Sequence, residues 1–173
     1  MLFREMNDER RKIMTLEERI QKLEDIRECE QLQYKYEQYL DNGYIGEKIA
    51  SLFVEDGLWE IKGCGGTAKG WEAIKKHAEN LGKAIKWGQH NMMAPMIEVS
   101  DDGKTATGKF CLLCLLTMEV DGVDDAYVLS GKYTNKYVKV DGKWYFEELT
   151  GVIEQTAPWE KGWVKAAFTK ENW

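Results

Sequence analysis

From Leu16 to Leu40 apolar residues recur every three or four positions, as Leu16, Ile20, Leu23 and Ile26 and then Leu32, Tyr36, Tyr39 and Leu40. That is the period of a helix with one apolar side. Thr15-Leu16-Glu17-Glu18 starts it as a capping box, with the threonine hydroxyl taking a first-turn amide and the Glu18 carboxylate reaching back. Asp41-Asn42-Gly43 stops it with a turn former and a glycine. The spacing predicts one helix over 15–41, or two broken near 27–30. A shorter helix is predicted over 46–54, followed by the short strand Leu58-Trp59-Glu60-Ile61. The loop Gly63-Cys64-Gly65-Gly66 lacks the Gly-Lys-Ser/Thr ending of a phosphate-binding loop, so it reads as a flexible rim. A helix over 70–82 closes this half.

The pattern then changes from helix to strand. Strands are predicted over 86–99, bent near Pro95, and over 105–120, 126–140 and 143–155. Asp102-Gly103, Asp121-Gly122 and Asp141-Gly142 separate them, and Asp-Gly between apolar runs is a hairpin signal. Helices first and a meander second is the α+β order. Residues 1–14 read as an N-terminal extension and 15–173 as one domain. The tail over 157–173 holds Trp159, Trp163 and Trp173 and is expected to pack on the body or on a neighbouring subunit.

Composition narrows the function. Seven Trp, eight Tyr and five Phe supply enough ring surface to line a core, a pocket or an interface. Net charge is −6 with bases and acids interspersed, which argues against a nucleic-acid partner. No apolar run reaches the ~20 residues of a membrane span, and the start has no signal-peptide pattern, so a cytoplasmic protein is expected. Cys29, Cys64, Cys111 and Cys114 are then expected as reduced thiols. Cys111 and Cys114 lie three apart on a strand, which puts them on opposite faces. They read as small apolar side chains rather than a metal or redox pair.

The chain has two histidines. His77 sits among lysines on a helix, where a solvated face is the ordinary reading. His90 shares a strand face with Met92 and Ala94. In an apolar concavity it is a proton acceptor near neutral pH; elsewhere it is an ordinary core or surface histidine. Asp41 reads equally as a turn former and Tyr36 as a core or interface aromatic. Trp59, Trp87, Tyr127 and Tyr133 are candidate walls for a ligand. The histidines and carboxylates have no metal-ligand spacing, and no nucleophile elbow is present.

The order of these features resembles the SnoaL-like proteins of the NTF2-like superfamily. It is carried by Tyr36-x-x-x-x-Asp41, Gly70-x-Glu72-Ala73-Ile74, His90 ahead of Ile97-Glu98-Val99, Thr105-Ala106-Thr107-Gly108 and Tyr137-x-x-x-Asp141-Gly142-Lys143-Trp144. Within that group the bile-acid 7α-dehydratases and scytalone dehydratases are most similar, and hexachlorocyclohexane dehydrochlorinase and small polyketide cyclases share the scaffold. The resemblance implies a cone with N-terminal helices packed on a curved antiparallel sheet around a pocket. It implies a cofactor-independent lyase, with no metal, acting on a hydrophobic, carbonyl-bearing small molecule. An isomerase, a cyclase or a non-catalytic binder remain as alternatives. His90 would be the general base, Asp41 would hold its other ring nitrogen, and Tyr36 would donate to an oxygen. A homotrimer is implied as well. Two departures stand out: the bile-acid enzymes have an aspartate where this chain has Cys114 and an arginine where it has Ile153.

Overall fold

The computed structural model describes residues 14–63 and 66–166. Thr15 caps the first helix: its hydroxyl accepts the Glu18 N–H at 3.2 Å, and the Glu18 carboxylate accepts the Thr15 N–H at 2.8 Å. Helix α1 then runs unbroken from Leu16 to Asp41. Its buried face is not the stripe that begins the periodic pattern, because Leu16 and Leu23 are 64% and 65% exposed. The buried residues are Asp25, Cys29, Leu32, Gln33, Tyr36 and Leu40, so the later part of the pattern is on the buried face.

Helix α2 (Gly46–Ala50) is shorter than the predicted 46–54, because Phe53 already begins strand β1 (Phe53–Lys62) by pairing with Phe146. The glycine-rich segment leads into a short edge strand, β2 (Gly66–Lys69), that the sequence reading had as loop; Cys64 and Gly65 lie outside the described residues. Helix α3 (Trp71–Ala84) and strands β3 (Ile85–Val99), β4 (Thr105–Val120), β5 (Val123–Val140) and β6 (Lys143–Pro158) follow, then a one-turn helix α4 (Gly162–Lys165). The turns at Asp121-Gly122 and Asp141-Gly142 have positive φ at both residues. That backbone matches strand twist, and Asp-Gly is suited to it.

The six strands form one curved sheet in the order β2-β1-β6-β5-β4-β3. Four of its pairings are antiparallel, but β1 runs parallel to β6, so the expected antiparallel sheet is a mixed one. The chain reaches β1 before the meander is built, and it docks beside the last strand in the same direction. β4 alternates exposed and buried from Thr105 to Leu112 and beyond, the signature of a sheet covered on one face only. Cys111 faces out and Cys114 in, as their spacing requires. Burial, with the Asp25 charge adding to it, pushes the Cys29 thiol up to about 12.

The core lies between the helices and the sheet. Tyr36 meets Trp59, Tyr133 and Phe146 edge-on, with centroids 6.0, 6.3 and 6.4 Å away. Asp25 ties the N-terminal half of α1 to the ends of β5 and β6. It pairs with Lys139 and accepts hydrogen bonds from Trp144 Nε1 at 3.0 Å and Gln21 Nε2 at 3.2 Å. Burial alone would raise this carboxyl; those three donors outweigh it and hold it below its ordinary value. Of the two expectations for the tail, packing on the body is not seen where it is described: Trp159 and Trp163 are 61% and 63% exposed. Trp173 lies outside the described residues.

Candidate active site

Strand β3 is the last strand of the sheet, so the N–H groups on its outer side have no strand to bond. An uncovered edge of this kind must be satisfied or shielded. The C-terminal turns of α1 lie against it and bring up a carboxylate. Asp41, the last residue of α1, accepts the His90 main-chain N–H at 3.0 Å to Oδ1 and 3.1 Å to Oδ2. The same Oδ1 lies 2.6 Å from His90 Nδ1. A carboxylate at a helix C-terminus faces the negative end of the helix dipole. Three contacts to His90 offset that cost.

With Nδ1 committed to Asp41, Nε2 is the ring nitrogen left for a ligand. His90 and Met92 point to the inner side of the sheet while Gln89 stays exposed. Opposite His90 on β4 is Cys114, also directed inward. Gly88 keeps space beside the pair: a Cβ there would sit 3.5 Å from the imidazole Cε1, 3.7 Å from Asp41 Oδ1 and 3.2 Å from a Leu116 methyl. Beyond Met92 the strand bends as Pro95 predicts, with Ala94 at φ 53° and a register shift between Met93 and Met96.

His90 opens onto a pocket of about 520 Å³, part of it shared with solvent. Tyr36, Trp59 and Tyr133 line it, together with Tyr44 and a shell of leucines and isoleucines. No lysine, arginine, aspartate or glutamate is among the described lining residues. Both departures from the bile-acid enzymes, Cys114 and Ile153, are in this wall, and each replaces a charged side chain with a neutral one. Trp59 is buried, its Nε1 has no hydrogen-bond partner among the described residues, and its ring meets His77 edge-on with centroids 4.8 Å apart.

Two candidate walls fall away. Trp87 has the opposite strand parity to His90 and is 50% exposed on the outer face, so it does not reach the pocket. Tyr127 has the inward parity of Leu129 and Tyr133, but it packs against the edge of the core beyond the pocket lining. Sequence reasoning missed Tyr44, whose ring stands edge-on to His90 at 6.3 Å. Its φ of 54° is uncommon for a bulky residue, and the Asn42-Gly43 helix stop just before it was the only signal. It also missed Glu37, one turn before Asp41, whose carboxylate accepts the Met92 N–H at 3.0 Å.

A profile of the SnoaL-like domain matches residues 21–150, and the chain belongs to that family. No curated protein matches the sequence. Among solved structures, a Novosphingobium aromaticivorans protein provisionally named as a scytalone dehydratase is 26% identical. The match covers 82% of this chain and 91% of that one, with a TM-score of 0.70. A type 2 hexachlorocyclohexane dehydrochlorinase is 25% identical over 81% of this chain and 92% of its own, with a TM-score of 0.73. The type 3 dehydrochlorinase of Novosphingobium barchaimii, 23% identical over 81% and 93% with a TM-score of 0.72, shares the fold. No helix among the described residues is long and apolar enough to cross a membrane.

Proposed function

We propose that the protein is a cofactor-independent dehydratase acting on a hydrophobic, carbonyl-bearing small molecule such as a steroid or other polycyclic. The observation that carries this reading is the His90–Asp41 pair, closed at 2.6 Å, with its remaining ring nitrogen next to an apolar pocket. In the proposed reaction His90 Nε2 takes the proton from the carbon next to the carbonyl. The C–H electron pair moves toward the carbonyl oxygen, where Tyr36, on the pocket wall, donates a hydrogen bond. Asp41 stabilises the imidazolium that forms. The enolate then collapses, a carbon–carbon double bond forms and the β-hydroxyl leaves. It takes the proton back from His90 and departs as water, so base and acid are one residue.

The neutral wall supports an uncharged ligand. A ligand carboxylate or phosphate would enter without a cation to meet it, next to the Asp41 carboxylate, and that desolvation is unfavourable. Two relatives at 25% identity or above carry names of elimination enzymes, which fits the same class of reaction here.

The test is a turnover screen by mass spectrometry with hydroxylated 3-oxo steroids and polyketide-like hydroxyketones, comparing wild type with His90→Ala. Loss of water by wild type that disappears in the variant supports the reading. A product of unchanged mass and new retention time moves it to an isomerase or cyclase. Saturable binding by both proteins without turnover moves it to a binding protein.

A further inference from the structure

The dyad is half of a larger arrangement. Glu37 and Asp41 are one turn apart on α1, and each accepts a main-chain N–H from the free edge of β3, at Met92 and His90 respectively. Residues four apart on a helix are about 6 Å apart along the axis. Residues two apart on a strand are about 6.8 Å apart. The two repeats nearly match, so a pair of carboxylates on one helix face can bind two successive outward N–H groups of an edge strand. Met92 is the next inward-facing residue after His90 and is 7% exposed. Whatever fixes the Met92 amide therefore fixes the strand that carries the base.

We propose that Glu37 is a positioning residue of this site: with Asp41 it clamps the free edge of β3, and its ionisation is transmitted to the His90–Asp41 pair. For its consequence in turnover, the inference rests on the dyad reading above. Its structural content does not.

The surroundings of Glu37 make it a titrating member of the clamp. On its own helix Asp41 is the charge that acts on it, and Tyr34, itself subject to Glu30 and Arg27, feels Glu37 in turn. From β3 it receives the Met92 N–H, with His90 two residues earlier. Half-burial pushes Glu37 up to about 7, the Met92 N–H partly opposes this, and the Asp41 charge adds to it. Near neutral pH the site thus passes from one carboxylate beside His90 to two. The second negative charge stabilises the imidazolium that forms when His90 takes a proton, so proton abstraction should quicken as Glu37 ionises.

The decisive measurement needs no substrate. Backbone 15N–1H shifts of Met92 and His90, and the His90 ring signals, are followed from pH 5 to 9 in wild type and in Glu37→Gln. His77→Gln identifies the ring, since the chain has two histidines. Gln keeps an acceptor oxygen for Met92 and removes the charge, so the melting temperature should stay close to wild type. The expected result is a step in the Met92 amide centred near pH 7 that is lost in Glu37→Gln, with the His90 curves displaced between the two proteins. No step at Met92, or His90 curves unchanged by Glu37→Gln, overturns the proposal. If a dehydrated product is found, kcat/KM of Glu37→Gln should fall roughly threefold to tenfold above pH 7, the scale of one nearby charge, mostly in kcat. An unchanged pH profile would also overturn it. Absence of turnover bears on the dehydratase reading alone.

Discussion

Asp25 and Asp41 lie on the same helix, sixteen residues apart, which is about 24 Å along the axis. Each is held by donors from the sheet. Asp25 is buried, and its partners are the Lys139 ammonium, the Trp144 indole and the Gln21 amide. Its Oδ1 takes all three, and the bonds from Lys139 and Trp144 hold helix and sheet together. Asp41 is paired with an imidazole, which can take up and release a proton and lines the pocket. The difference lies in the partner: the same side chain on the same helix is an anchor against lysine and indole, and a working group against histidine. Neighbouring acids differ as well. Asp25 is pulled below the ordinary carboxylate range by its donors, whereas Glu37, beside Asp41, is pushed above it.

This comparison can be broken in four ways. At the Asp41 end, His90→Ala should cut kcat/KM by about 10²–10⁴-fold, the usual share of a positioned acid–base group. Its unfolding free energy should change far less; a variant that melts much earlier would make His90 an anchor like Lys139. At the Asp25 end, Asp25→Ala strands Lys139 and Trp144 Nε1 without their acceptor. Urea unfolding should show a loss of about 3–5 kcal/mol, typical of a buried pair missing one member.

The remaining tests use pH and have opposite signs. The folded state depresses Asp25, so its contribution is complete above the unfolded aspartate value, about 3.9, and is lost as pH falls through the lower folded value. Stability measured from pH 5 downward should decline less steeply in Asp25→Ala than in wild type. The folded state raises Glu37, so folding is favoured while Glu37 is protonated, and that advantage is lost as pH rises from about 4.5 to about 7. Relative to wild type, Glu37→Gln should gain stability across that window. This is the smallest effect of the four, because the carboxyl is only half-buried and solvent screens it. Parallel stability curves for the two proteins would contradict the raised carboxyl.

Much of the framework could be read from local chemistry. The Thr15 capping box, the Asn42-Gly43 stop, the Asp-Gly turns and the bend at Pro95 are all decided by residues within a few positions of one another. Alternation placed Cys111 and Cys114 on opposite faces. The same parity argument, applied from His90, would have turned Trp87 outward; reading it as a wall left that step out. Tyr127 is a different failure, since its parity is correct and only its position along the strand puts it past the pocket. The buried face of α1 could be read only in its C-terminal half, where Leu32, Tyr36 and Leu40 are buried. Asp25 and Gln33 look like solvent positions, and Lys139, Trp144 and Asn135, which bond to them, lie more than a hundred residues away.

By itself, then, the sequence determined the element types, their order and the turns, because hydrophobic period and turn chemistry act over short distances. It also supplied an acid, a base and an abundance of rings, and through family resemblance it named the pair. Only the tertiary structure decided that Asp41 reaches His90 across 49 residues of chain, that Glu37 joins it on the same strand edge, and which aromatics face the cavity. Those facts depend on which strand ends the sheet and where α1 crosses it. A hydrogen bond of under 3 Å is set by that register, which no local pattern encodes.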